Sequence, residues 1–190
     1  MLCADARSRF IDKHDRRAVV LFADGAAGAL IEASDDPGLL GTVLGAEGRE
    51  RMGAWVPAGG AALPASHETV EAGRHHLQVD GLREIFDLFT DYACEAAHAV
   101  LAKTGLSLDD VDLFITHQGN ALLIGEIAAK LGIPAERTVN GVARHGNTSG
   151  ASVPIALAEA VESGRIRPGH VVLFASAGAG YTFGAAVHRF

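Results

Sequence analysis

The spacing of apolar positions changes sharply along this chain. From Glu84 to Lys103, the residues Ile85, Phe86, Leu88, Phe89, Tyr92, Ala93, Ala96, Ala97, Val100 and Leu101 recur at steps of three and four. That is the repeat of one face of a helix. Gly105 follows, the residue type that closes helices in the left-handed conformation. Ser107-Leu108-Asp109-Asp110 reads as a capping box for a short turn, with Asp in the acidic position. Short apolar runs then alternate with helical spacing. They predict a strand over 112–116, a helix over 121–131 closed by Gly132-Ile133-Pro134, and a strand over 137–142. A helix over 149–163 stops at Gly164, and strands over 170–175 and 181–188 form a hairpin-like pair. Strands alternating with helices predict an α/β domain with a mostly parallel sheet and helices on its faces.

Towards the N-terminus the pattern is less regular. Residues 1–4 read as the tail of a strand and 5–17 as a charged connection. Residues 18–33 read as a buried strand, a glycine-containing turn and a second strand. Asp35-Asp36-Pro37-Gly38 is a turn signal, because Pro presets φ and Gly accepts positive φ. Residues 34–80 read as strands joined by surface loops that cap a ligand pocket. The chain thus divides into 1–33, a connecting or cap segment over 34–83, and an α/β unit over 84–190. The run Val19-Val20-Leu21-Phe22-Ala23 recurs as Val171-Val172-Leu173-Phe174-Ala175, and the Ala27-Gly28 pair recurs at the same offset as Ala179-Gly180. Buried strands reuse these residue types, so chance is one reading; duplication of a whole α/β half is the other. Under duplication, about 85 residues of helix and strand units lead into the second copy, against 17 residues before the first. The first half would then be mostly absent, leaving an apolar sheet edge unpaired. The expectation is a chain that does not stand alone.

Composition narrows the function. With 190 residues, 48% of them hydrophobic and 21% charged, the chain can bury a core. Its net charge of −7 argues against nucleic acid or an anionic membrane as partner. No apolar run reaches the roughly 18 residues that span a bilayer. The first residues carry acid and base too early for a secretion signal, and Cys3 and Cys94 form no disulfide or zinc pattern. A cytoplasmic protein is the reading that follows.

Candidate chemistry lies in three loops. Thr116-His117-Gln118-Gly119-Asn120 ends one strand, and Arg144-His145-Gly146-Asn147-Thr148-Ser149-Gly150 precedes a helix. In open α/β sheets, ligands bind at the carboxyl ends of strands. The loop Ser176-Ala177-Gly178-Ala179-Gly180 can bring backbone N–H groups to the same place. One imidazole, one amide and backbone donors suit an acyl-transfer site whose nucleophile is on no residue of this chain. Thr148 and Ser149 can cap the following helix, which leaves Asn147 free. His145 reads as structural or solvent-facing. His67, His75 and His76 match no compact metal-ligand set. Asp24 and Gly25 read as turn or core-support residues.

Together these segments resemble ketoacyl-acyl-carrier-protein synthase III. The resemblance rests on His117-Gln118-Gly119-Asn120, on Arg144 to Leu157, on Gly164-Arg165-Ile166-Arg167-Pro168-Gly169, on Ala179 to Ala186 and on Arg17 to Ala33. Residues 47–76 match least. The resemblance implies a thiolase-like fold of two duplicated halves in αβαβα layers, of which this chain would hold the C-terminal half and the end of the other. It implies an acyltransferase of fatty-acid or polyketide initiation that condenses an acyl-CoA primer with malonyl carried on acyl carrier protein. No cofactor is implied beyond the coenzyme A thioester itself. The family triad is Cys, His and Asn; by motif match His117 and Asn147 are the last two. Gly178, Ala179 and Gly180 would form the oxyanion turn, with Ala179 donating its N–H. Gly119, Asn120 and Gly81 would contact substrate.

Neither Cys3 nor Cys94 matches the family cysteine, so the resemblance implies a missing N-terminal half or a companion subunit. A non-catalytic partner subunit and an inactive relic are the alternatives. The complete enzymes of the family are dimers. Leu122 and Ala129 stand where members carry basic residues that dock the carrier, although Lys130 remains. Ala177 replaces a common phenylalanine beside the acyl pocket, which predicts room for primers bulkier than acetyl.

Overall fold

The structure is a computed structural model that describes residues 1–36, 38–49 and 53–190. The Asp35–Gly38 turn and the 34–80 segment therefore lie partly outside the described residues. In chain order the elements are β1 (Leu2–Asp5), α1 (Arg16–Val19), β2 (Gly25–Gly28), β3 (Leu39–Ala46), β4 (Ala54–Trp55), α2 (His67–Glu71) and β5 (Gln78–Val79). Then come α3 (Leu82–Thr104), β6 (Leu113–Thr116), α4 (Ala121–Leu131), α5 (Val142–His145), α6 (Ser152–Glu162), β7 (Val171–Gly178) and β8 (Thr182–Arg189).

The core is built around β6 and β7, which pair in parallel with Thr116 opposite Ala175. All four residues of β6 are buried, and successive side chains point to opposite faces. Phe114 and Leu173 face the layer of α3 and α4, among Ala93, Ala97, Val100, Leu123 and Ile127. Leu113, Ile115 and Val172 face α6, against Ala156 and Ala160. The small side chains along α3 let the helix lie close to the sheet. At Gly41 of β3 a Cβ would come within 2.6 Å of Thr104 Cγ2. The described α/β architecture of helices on both faces of a sheet agrees with a partial thiolase-like fold.

Three expectations need correction. The four-stranded sheet runs β3-β8-β7-β6, and β8 is antiparallel to both β3 and β7. The sheet is therefore mixed, with β6–β7 its one parallel pair among the described residues. The tight β7–β8 hairpin reverses the chain, and β3 then joins the far side of β8. Secondly, residues 137–142 are not a strand. Thr138 makes a single bridge to Phe114, after a 3-10 turn over Ala135–Arg137, and α5 follows. Thirdly, 18–22 is not a strand either: α1 ends at Val19, and Phe22 bridges Asn147 alone. A strand needs a ladder on at least one side, and here Val20 is 78% exposed. The second copy of the sequence repeat forms β7; the first does not form a strand.

Most helix ends agree with the sequence pattern. Gly105 and Gly132 close α3 and α4 in the left-handed conformation, and Ser107 and Asp110 form the expected capping box. Helix α2 also opens with a capping box, Ser66 with Thr69. The N-terminal ribbon β1–β2 pairs Cys3 with Ala27 and lies against the start of α6. It carries Leu2 at 91% exposure, and Leu30 beyond it is 86% exposed.

Candidate functional site

His117 follows the last residue of β6, whose Thr116 is fully buried. Its backbone N–H donates to Ser176 Oγ on the adjacent strand β7 (3.1 Å), which pins the loop to the sheet. Its ring Nδ1 lies 2.8 Å from Ser152 Oγ, at the first turn of α6. Burial, and secondarily the Arg7 guanidinium, push the His117 pKa down to about 4. The imidazole is therefore neutral at neutral pH. Gly119 backs the ring: a Cβ there would stand 3.2 Å from His117 Cδ2 and 3.3 Å from Nε2.

Gln118 points the other way and is buried. Its amide donates to Thr116 O (2.8 Å) and Val139 O (3.2 Å), and its Oε1 accepts from Gly141 N–H (2.8 Å). One side chain thus ties the end of β6 to the loop that leads into α5. Asn120 caps α4, with Oδ1 accepting from Leu123 N–H at 2.8 Å. A helix cap explains that residue without a ligand.

Asn147 is reached from the second loop and is 7% exposed. Its backbone is held on both sides: its N–H donates to Leu21 O (2.8 Å), and its carbonyl accepts from Ala23 N–H (3.0 Å). Its side-chain Oδ1 accepts from Ser149 N–H at 2.9 Å. That bond fixes the amide orientation and, among the described residues, leaves Nδ2 as the group free to donate. The expectation that Thr148 or Ser149 would cap the next helix is not met. Neither side chain makes a cap bond, and Asn147 Oδ1 does that work. Close packing holds the loop from behind. A Cβ on Gly25 would lie 2.7 Å from Thr148 Cβ, and one on Gly146, at φ 65°, would meet Ala23.

The two loops converge through the segment 147–152, which carries Asn147 at one end and grips the His117 ring at the other. Arg7 joins the same corner by donating to Ser149 Oγ and pairing with Asp5. The third loop follows β7. Because Thr116 lies opposite Ala175, the Gly178–Gly180 turn extends from the strand beside His117. Ala179 and Gly180 are exposed, and no backbone carbonyl among the described residues accepts from Ala179 N–H. Gly81 opens α3 at φ 68°, and its carbonyl accepts from Ile85 N–H.

His145 and Arg144 both bond Glu159, at 2.7 Å each, and these partners lower the Glu159 pKa. This agrees with a structural reading of His145. Asp24 accepts from Ser8 N–H and Oγ, which agrees with a supporting role. Cys94 is 4% exposed, with Sγ 3.9 Å from Ile127 O, and burial raises its pKa. A small concavity is lined by Gln118, Gly146, Thr148, Ser152 and Glu159, but by neither His117 nor Asn147. Arg7, Gln118, Ser152 and Ser176 were not singled out from sequence. Nothing in their local spacing marks them, because each has a partner between 21 and 142 residues away.

Comparison with known proteins gives this geometry a family. The model described as 3-oxoacyl-[acyl-carrier-protein (ACP)] synthase III matches residues 1–48, and the one for the C-terminal part of the same family matches residues 101–190. A β-ketoacyl-[acyl-carrier-protein] synthase III from Symbiobacterium thermophilum is 41% identical over 183 residues, covering 96% of this chain and 55% of its own length. The protein of that name from Roseiflexus castenholzii is 43% identical, covering 99% of this chain and 57% of itself. The solved β-ketoacyl-[acyl carrier protein] synthase III of Thermus thermophilus superposes with a TM-score of 0.85 at 36% identity, over 100% of this chain and 58% of its own. The chain spans about half the length of the curated relatives it matches. With both family models matched in order, and a relative's fold overlying every element described above, the chain belongs to the 3-oxoacyl-[acyl-carrier-protein] synthase III family.

Proposed function

We propose that this chain supplies the decarboxylation and oxyanion groups of a ketoacyl synthase III-type acyltransferase, and that the acyl-carrying thiol comes from outside these 190 residues. In that reaction a thiolate takes the acyl group from acyl-CoA and releases coenzyme A. Malonyl on acyl carrier protein then loses carbon dioxide. The electron pair of the broken C–C bond moves into the thioester as an enolate. The enolate carbon attacks the enzyme-bound acyl carbonyl, and collapse of the tetrahedral intermediate expels the thiolate. His117 and Asn147 donate to the enolate oxygen, and Ala179 N–H donates to the tetrahedral oxyanion. Gly119, Gly178 and Gly180 keep backbone and substrate close, and a coenzyme A contact at Gly81 is part of the same proposal.

The observation that carries the reading is that the segment 147–152 holds the neutral, buried His117 imidazole through Ser152 and carries, at Asn147, an amide whose Oδ1 is already engaged. Such a pair donates hydrogen bonds without adding a charge that a carboxylate would trap, and preorganised donors of this kind stabilise developing negative charge. Cys94 is buried in the α3–α4 interface, and Cys3 pairs with Ala27 in a two-stranded ribbon, so neither suits the nucleophile. Exposed apolar side chains at Leu2, Val20, Leu30 and Ile31 support a covering partner, the family's N-terminal half or a companion subunit. Acidic carrier docking is weakened on α4: Leu122 is 79% exposed, and Lys130 is paired with Asp91 at 2.5 Å.

The test is malonyl-thioester decarboxylation by the protein in its native assembly. His117→Ala and Asn147→Ala each lower the rate about a hundredfold to a thousandfold, or about 3–4 kcal/mol. Unchanged decarboxylation in both variants overturns the reading in favour of a non-catalytic partner subunit.

A further inference from the structure

We propose that Ser152 is a positioning residue for His117: its hydroxyl donates to Nδ1 and thereby keeps the ring proton on Nε2, the nitrogen offered to the thioester oxygen. The inference rests on the reading of His117 as an oxyanion donor.

Ser152 opens α6 and is 2% exposed. Its Oγ accepts from the Gln118 backbone N–H at 3.2 Å and lies 2.8 Å from His117 Nδ1. A serine hydroxyl has one proton and two lone pairs. Among the described residues, Nδ1 is the acceptor that remains for that proton. Were the ring proton on Nδ1 instead, Oγ would accept from two N–H groups, and its own hydroxyl would be buried without an acceptor, which folding disfavours. The satisfied arrangement has Gln118 N–H donating to Oγ and Oγ–H donating to Nδ1. A neutral imidazole carries a single ring proton, so filling Nδ1 from outside assigns that proton to Nε2. Two further contacts hold the ring: the His117 N–H to Ser176 Oγ bond fixes its backbone, and Gly119 leaves the space beside Nε2 that a side chain would occupy. Ser152 thus does for His117 what an orienting partner does for a catalytic imidazole elsewhere.

A merely structural serine at a helix start would satisfy Gln118 N–H and leave the tautomer alone, so the experiment reads the tautomer. Protein labelled with nitrogen-15 at histidine is examined by two-bond nitrogen–proton correlation, with the His117 signals assigned through His117→Gln. In the wild type, His117 gives one neutral tautomer, protonated on Nε2 and hydrogen-bonded at Nδ1. Ser152→Ala loses the hydrogen-bonded Nδ1 signature and mixes the tautomers, and kcat in the native assembly falls about tenfold to a hundredfold with KM within about twofold. Ser152→Thr keeps the hydroxyl and restores the signature. A ring proton on Nδ1 in the wild type, or identical His117 spectra for the Ala and Thr variants, overturns the proposal. If the tautomer pattern holds while His117→Gln leaves turnover intact, the acyltransfer reading fails and the Ser152 assignment stands.

Discussion

Replacing His117 with glutamine removes a buried group that resists protonation, and the cost of that resistance is visible as a pH slope. Its pKa falls from an ordinary value near 6.5 to about 4 on folding, chiefly through burial and then through the Arg7 charge. Between those two values the unfolded chain binds a proton that the folded chain refuses. Stability is therefore whole above about pH 6.5 and declines as pH drops towards about 4. At about 1.4 kcal/mol per pH unit, the full window is worth about 3 kcal/mol, of which about 2 kcal/mol is lost by pH 5. The assay is urea unfolding at pH 7.5 and pH 5, in wild type and His117→Gln. Asp15, Asp24, Asp110 and Glu159 have pKa values lowered below the ordinary carboxylate range, so their contributions are lost at more acid pH than this comparison reaches. His188, whose pKa is also lowered by burial, is present in both proteins and cancels in the difference. Wild type loses about 2 kcal/mol more than the variant over this interval. Equal slopes in the two proteins would refute the claim that folding holds His117 neutral, and with it the electrostatic basis of the proposed site.

Gln118→Ala removes three buried hydrogen bonds to backbone groups and lowers unfolding free energy by about 3–5 kcal/mol, read as a drop in urea midpoint at constant slope. Gly25→Ala forces a methyl against Thr148 and costs about 1–3 kcal/mol; it also displaces the Asn147 loop, so the amide signals of 146–149 shift in a nitrogen–proton spectrum. Of the two thiols, Cys3 reacts with a disulfide reagent in the native protein, whereas Cys94 reacts only as the protein unfolds in denaturant. Equal rates for both thiols would show that the α3–α4 interface does not exclude solvent.

The stretch from α3 to β8 was legible for physical reasons that differ from element to element. Helix α3 announces itself because one face must be apolar over 23 residues, and Gly105 stops it. The β7–β8 pair is legible because strongly apolar runs flank a turn of small residues. What periodicity did not reveal is how strands pair: the antiparallel partners of β8 lie on both sides of it, and β3 comes from a segment more than 130 residues earlier. Residues 137–142 have a strand's composition and one bridge, since Gln118 and Arg165 use the carbonyls that a ladder would engage. The same holds at Val19 and Val20, where β-branched residues meet no neighbouring strand.

The site divides along a similar line. His117 and Asn147 stand out because an imidazole and an amide at strand-to-helix junctions are chemically conspicuous. The groups that fix their geometry are ordinary serines, a glutamine and glycines, and what makes them matter is a partner distant in sequence. Ser176 anchors the His117 backbone from the next strand, Ser152 holds its ring from the start of a helix, and Gln118 locks the loop behind it. Asn147 is held by Leu21 and Ala23, from a part of the chain more than 120 residues earlier. Its one side-chain bond among the described residues is to a near neighbour, and that bond decides which end of the amide faces out. The donor pair is thus specified by type in the motif and by direction in the tertiary fold. A substitution that spares both motifs but loosens Ser152 or Gln118 is expected to leave the reacting groups present and misaimed.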